Sequence, residues 1–153
     1  MDSRASEILL VEDDPDDLEL ALHALRKDNL ANRIQVARDG EEALDYIFAR
    51  GPHARPNGCN IPRVVLLDLK LPKVDGLEVL RQIRNDPRTK FIPVVILTSS
   101  KEQRDLVEGY ALGVNSYIQK PVDFDKFRET IKQIGLFWLL VNEPPPASAF
   151  QAG

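Results

Sequence analysis

Four short stretches of this 153-residue chain run into side chains that could do chemistry on charged groups. Glu12-Asp13 follow Ile8-Leu9-Leu10-Val11, Asp68 follows Val64-Val65-Leu66-Leu67, Thr98 follows Ile92-Pro93-Val94-Val95-Ile96-Leu97, and Lys120 follows Ser116-Tyr117-Ile118-Gln119. If the stretches are parallel strands of one sheet, all five residues collect at its carboxyl edge, where ligands bind in open α/β sheets. Carboxylates from Glu12, Asp13 and Asp68 within a few ångströms would repel each other by about 1 to 4 kcal/mol per pair. A positive charge must sit among them, and a hard cation with oxygen ligands fits; Mg²⁺ takes one or two carboxylates plus water and phosphate oxygens. Lys120 supplies a second, compact charge suited to a phosphoryl oxygen. Asp68, held between the two, could attack phosphorus as a carboxylate nucleophile and form an aspartyl phosphate, with Thr98 donating a hydrogen bond to a phosphoryl oxygen. Asp14, Asp16 and Asp17 are read instead as acids that cap a helix and complement its dipole.

The elements needed to hold this arrangement are visible in the pattern of apolar residues. Val-Val-Leu-Leu before Asp68 has no polar alternation, which suits a central parallel strand covered on both faces, and Pro72 ends the ladder soon after. Ile8–Val11 forms a first strand. Pro15 suits the first position of a helix with Asp14 as its cap, and Leu18, Ala21, Leu22 and Leu25 make one face of it as far as about Asp28. Ile34-Gln35-Val36 is a second strand. Asp39-Gly40 opens a helix with Leu44, Ile47 and Phe48 that Gly51 stops. Residues 51–62, with three prolines and two glycines, read as a long loop with His53 and Cys59 at its surface on the amino edge of the sheet. Gly76 precedes a helix carrying Leu77, Leu80 and Ile83, which ends before Pro87. Ile92–Leu97 is the fourth strand. A helix from about Glu102 to Leu112 and a short strand Ser116-Tyr117-Ile118 follow, and Asp123 caps a last helix with Phe124, Phe127, Ile131 and Ile134 as its stripe. The alternating order calls for a doubly wound α/β fold with a five-stranded parallel sheet and helices on both faces.

In these motifs the chain resembles the receiver domains of two-component response regulators over residues 7 to 134. The resemblance implies a flavodoxin-like sheet of order 2-1-3-4-5. It makes Asp68 the phosphoacceptor, Asp13 a direct Mg²⁺ ligand, Glu12 a ligand through water, and the backbone carbonyl of Lys70 the third protein ligand. Thr98 and Lys120 match the hydroxyl and lysine of that family's site, and Tyr117 matches its aromatic switch. A cis bond between Lys120 and Pro121 is expected, because a tight turn must aim the lysine back at Asp68 and only X-Pro bonds reach cis at modest cost. The segment Asp68–Gly76, the long loop before the third strand, and the ending Phe137-Trp138-Leu139-Leu140-Val141-Asn142-Glu143-Pro144-Pro145 resemble single-domain regulators paired with phytochrome-type sensor kinases. A sensor histidine kinase is then the phosphoryl donor, since His23 reads as mid-helix and His53 as lying on the far loop. Output would pass to another protein through a changed surface or to a histidine phosphotransfer protein, with no separate enzymatic activity.

Composition narrows the alternatives. With 43% hydrophobic residues the chain suits one domain, from residue 7 to 134, after a lead of residues 1–6 and before a tail of residues 135–153. A net charge of −4 with scattered basic residues argues against nucleic acid. One cysteine excludes an internal disulfide, residues 1–7 have no secretory pattern, and no apolar run approaches the roughly 20 residues of a membrane span, so a cytoplasmic location is expected. A flavin phosphate would be repelled by Glu12-Asp13-Asp14, and a haloacid-dehalogenase phosphatase needs an acid where Lys70 stands. A receiver-like docking module that works without phosphorylation is the remaining alternative. The tail combines an apolar piece, residues 136–141, with a proline-rich piece, residues 144–153; the apolar piece must be covered, by folding back over its own domain or by pairing with a second chain, and the resemblance to phytochrome-associated regulators favours a homodimer.

Overall fold

The computed structural model describes residues 8–26, 33–54, 58–99 and 112–133. Five strands, β1 (Ile8–Val11), β2 (Ile34–Ala37), β3 (Val64–Asp68), β4 (Val94–Thr98) and β5 (Ser116–Gln119), form one sheet of order β2-β1-β3-β4-β5 in which every pair is parallel. Four helices are described: α1 (Pro15–Arg26), α2 (Gly40–Ile47), α3 (Gly76–Asn85) and α4 (Phe124–Gln133). The expected helix from about residue 102 and the tail from residue 134 lie outside the described residues.

The apolar runs lack alternation because both faces of the sheet are covered. Ile8, Leu10, Val64, Leu66, Val95 and Leu97 pack on one side with Ala21, Ala24 and Leu25 of α1 and Phe127 and Ile131 of α4. The intervening Leu9, Val11, Val65, Leu67, Val94 and Ile96 pack on the other with Ala43, Leu44 and Ile47 of α2 and Val79, Leu80 and Ile83 of α3. Each apolar residue of the three inner strands therefore belongs to one of two hydrophobic layers. At about 25 cal/mol per Å² of apolar surface, these layers are the main favourable term holding the carboxyl edge in place.

Each described helix begins at an aspartate whose Oδ1 accepts free amides of the first turn. Asp14 takes those of Asp16 (2.9 Å) and Asp17 (3.0 Å), Asp39 that of Glu42 (2.7 Å), Asp75 that of Glu78 (2.9 Å) and Asp123 that of Lys126 (2.8 Å). In return the Arg38 amide donates to the Glu42 carboxylate at 2.8 Å, which fixes the entry to α2.

Two boundaries differ from the sequence reading. The helix α2 ends at Ile47 rather than at Gly51, because the Phe48 amide closes on the Leu44 carbonyl and Ala49 then turns to φ 54°, a left-handed conformation usually left to glycine. The 51–62 segment is also less irregular than its prolines and glycines suggest. Gly51–His53 forms one 3₁₀ turn, His53 packs edge-on against Tyr46 with ring centroids 5.3 Å apart, and buried Asn60 donates to the Tyr46 carbonyl at 2.7 Å. His53 and Cys59 are accordingly half-buried rather than at the surface.

At the amino edge, Arg84 near the end of α3 joins segments distant in sequence. Its guanidinium donates to the carbonyls of Lys90 (3.1 Å), Ile92 (2.7 Å), Leu112 (3.1 Å) and Gly113 (2.7 Å), so the starts of β4 and β5 are tied to one helix. Asn115 adds a bond from the Val94 amide at 2.8 Å.

Candidate functional site

Strand register delivers the site. Val11 is level with Leu67, so one step further Glu12 stands beside Asp68, the last residue of the central strand. Asp68 is level with Leu97, Thr98 follows, and Thr98 is level with Gln119, so Lys120 comes next. The final rung is the Lys120 amide donating to the Thr98 carbonyl at 2.7 Å. Glu12, Asp68 and Thr98 are all buried, at 1%, 4% and 1% exposure, whereas Asp13 is half-buried.

Carboxylate oxygens of Glu12, Asp13 and Asp68 lie within 4.8 Å of one another. Among them stands the Lys120 ammonium, with Nζ 2.9 Å from Glu12 Oε1, 3.0 Å from Asp68 Oδ2 and 3.1 Å from Asp17 Oδ2. The other oxygen of Asp68 accepts the Lys70 amide at 3.2 Å, and the other oxygen of Glu12 accepts the Asp14 amide at 3.1 Å. The Lys120–Pro121 bond is cis, as expected.

Burial pushes the Glu12 carboxyl up to about 7, and the Asp68 charge acts in the same direction against the pull of Lys120. Burial works against the Lys120 charge, but its bonds to Glu12 and Asp68 outweigh that and hold the amine above the ordinary lysine range. One ammonium thus serves several acids, and Glu12 remains under-compensated. A hard divalent cation fits this donor set: all candidate ligands are oxygen and lie within 4.8 Å of one another, and a hard cation such as Mg²⁺ takes oxygen ligands at about 2.1 Å.

The electrostatics lead to a test. With its folded value raised, Glu12 binds a proton in the metal-free fold that it releases on unfolding, so stability falls as pH rises from about 4.5 to about 7. A divalent cation held by these oxygens would compete with that proton, so a stabilising effect of added Mg²⁺ should grow as pH rises through about 7. Mg²⁺ at 100 times its dissociation constant should add about 2.7 kcal/mol. Asp13→Asn should lose most of the Mg²⁺-dependent rise in melting temperature; an unchanged rise would put the cation elsewhere.

Tyr117 is half-buried on β5 and packs against the layer under α2 and α3, and the Lys70 side chain is exposed beside the site. Sequence reasoning missed Asp17. It was read as a helix-capping acid, yet its carboxylate reaches Lys120 across 103 positions of chain. Its place in the first turn of α1, one helical turn after Asp13, was the available signal. His23 is exposed on α1, and His53 lies on the amino-edge loop.

Comparison with known proteins points the same way. A model of the response regulator receiver domain matches residues 8–132. The solved bacteriophytochrome response regulator RtBRR is 52% identical, with a TM-score of 0.82 over 95% of this chain and 87% of its own. The probable methanogenesis regulatory protein FilR2 of Methanothrix harundinacea is 44% identical over 90% of this chain and 86% of its length. Response regulator Rcp1 of Synechocystis sp. is 36% identical over 92% of this chain and 93% of its length. The Mn²⁺-bound form of Rcp1 superposes with a TM-score of 0.69 over 92% of this chain and 99% of that one.

Proposed function

Because the chain belongs to the response regulator receiver domain family, we propose that it is a single-domain regulator that takes a phosphoryl group on Asp68 from a sensor histidine kinase of phytochrome type. The observation that carries this reading is the Asp68 carboxylate at the end of the central strand, with two further acids and the Lys120 ammonium around it. In the transfer, an Asp68 oxygen forms the new P–O bond while the donor's P–N bond breaks and the imidazole leaves with its electron pair. Mg²⁺, held by Asp13, Asp68, the Lys70 carbonyl and Glu12 through water, would neutralise charge between the nucleophile and the phosphoryl oxygens. Lys120 exchanges its bond to Asp68 for one to a phosphoryl oxygen, and Thr98 donates a second. The phytochrome pairing draws on the likeness to RtBRR, and the metal on the cation-bound relative.

The signal would leave through the face that β5 and α4 form, as Thr98 moves toward the phosphoryl group and Tyr117 turns inward. It amounts to a shift between two populations that a partner, a histidine phosphotransfer protein among the candidates, binds with different affinity. A cytoplasmic location accords with such a donor, and among the described residues no helix is long and apolar enough to cross a membrane.

Incubation with acetyl phosphate and Mg²⁺ should produce a hydroxylamine-labile phosphoprotein of altered mobility. Purified phytochrome-type kinases should then label it faster than unrelated kinases. A mobility shift with no kinase preference would remove the pairing and leave the chemistry.

The domain would run from residue 7 to 134, with the apolar tail residues 136–141 pairing two copies through their aromatic side chains. Sedimentation of the full chain against a truncation after residue 134 tests this. A dimer that becomes a monomer is expected; two monomers at micromolar concentration would refute the pairing, and two dimers would move the contact off the tail.

A further inference from the structure

We propose that Asp17 is a positioning residue for phosphoryl transfer, the acid that keeps the Lys120 ammonium in register once the metal and the phosphoryl group have taken its other partners. The inference rests on Asp68 being the phosphoacceptor. An ammonium has three N–H donors in a fixed tetrahedral arrangement. In Lys120 they meet three acceptors at nearly equal distance: Glu12 at 2.9 Å, Asp68 at 3.0 Å and Asp17 at 3.1 Å.

These acceptors have different futures. Asp68 becomes esterified, and its place at Lys120 passes to a phosphoryl oxygen. Glu12 belongs to the oxygen cluster that a cation would occupy, together with Asp13 and Asp68. Asp17 lies outside that cluster, so its charge is not taken up by the metal. It stands on the first turn of α1, and its own amide is fixed at 3.0 Å to Asp14 Oδ1. With about a third of its side chain exposed, it is the most open of the three partners, yet it reaches a lysine only 15% exposed. Lys120 sits on the segment after β5 and would otherwise be free to swing about its four-carbon stem once Asp68 is esterified. An anionic partner on another rigid element holds the ammonium where the phosphoryl oxygen arrives, because a charged hydrogen bond restrains both groups that make it.

The test measures the rate of phosphate incorporation from acetyl phosphate at saturating Mg²⁺ in the full-length chain, with Asp68→Asn as the reference for phosphorylation elsewhere. Asp17→Ala should lower the maximal rate about tenfold with little change in the acetyl phosphate concentration at half-maximal rate. Asp17→Asn keeps the shape and a neutral acceptor and should fall between the two. Its melting temperature shows that it is folded, so its rate is read even if the alanine variant is unstable. In a Lys120→Met background, neither change should slow the reaction further, because the effect runs through the ammonium. Wild-type rates in folded Asp17→Asn and Asp17→Ala would overturn the proposal. So would an equal slowing with and without Lys120, which would show that Asp17 acts by another route. Phosphate incorporation persisting in Asp68→Asn would instead overturn the phosphoacceptor assignment, and the role of Asp17 with it.

Discussion

The variant Asp68→Asn is expected to bring phosphate incorporation down to background while leaving the fold intact. The amide has nearly the shape of the carboxylate and keeps one acceptor oxygen, which can meet Lys120 in place of Oδ2 at the cost of the longer bond from the Lys70 amide to Oδ1. What it lacks is the anionic oxygen at the end of the central strand that must bond to phosphorus, and Lys120 carries no nucleophile while it is protonated. The substitution also removes one of the charges that raise Glu12, so the metal-free protein should lose less stability as pH rises toward 7 than the wild type does. Label retained in Asp68→Asn, measured with acetyl phosphate and checked for hydroxylamine lability, would move the phosphoacceptor elsewhere. A collapse of the fold would mean that the charge at Asp68 is structural.

A second large effect is expected at a residue with no side chain, Gly76. This first residue of α3 lies so close to the end of β3 that a Cβ built on it would run into the Asp68 carbonyl oxygen and the Leu69 backbone. Its own amide donates to the Leu69 carbonyl at 2.9 Å, so helix and strand meet backbone to backbone. Gly40 makes the same approach at the start of α2, where an added Cβ would meet the Val74 carbonyl and the amide donates to the Pro72 carbonyl at 3.3 Å. The loop that follows Asp68 is therefore pinned at both ends by residues without side chains. Overpacking usually costs about 1 to 3 kcal/mol when side chains can give way. Here the obstacle is backbone, and Gly76→Ala should cost about 3 kcal/mol or more in urea unfolding. The loss should be accompanied by weaker Mg²⁺ binding, because the displaced atoms belong to Asp68 and Leu69. Stability within about 0.5 kcal/mol of wild type would show that α3 can back away from the strand at little cost.

Much of this architecture was legible because it is written locally. Val64–Leu67 could only be a strand covered on both faces, and the two apolar layers confirm it residue by residue. Asp14, Asp39 and Asp123 announced helix starts through chemistry that spans two or three positions. The strand order came from family likeness, since nothing in a run such as Val-Val-Ile-Leu says which neighbour it will choose. What stayed hidden was either a matter of φ or of distance along the chain. An alanine takes the left-handed turn that closes α2, two residues before Gly51, which is itself at φ 55°, because the carbonyls to be closed off lie at Leu44 and Tyr46. Asp17 looked like one more acid in a helix's first turn, and its partner enters the chain only after four more strands have been laid down.

The ties made by Arg84 give the sheet a mechanical asymmetry. At the amino edge, one guanidinium joins the segments that enter β4 and β5 to α3, and Asn115 bonds the two strands to each other there. At the carboxyl edge, the ladder between the same two strands ends with the rung from Lys120 to Thr98. The pair is anchored at one end by side chains and laddered from there to the tip by backbone alone. A pull on either tip bends both and cannot be relieved by sliding at the root. Thr98 and Lys120, the two side chains proposed to meet the phosphoryl oxygens, stand together at that tip, so a displacement of one is passed to the other through the rung between them.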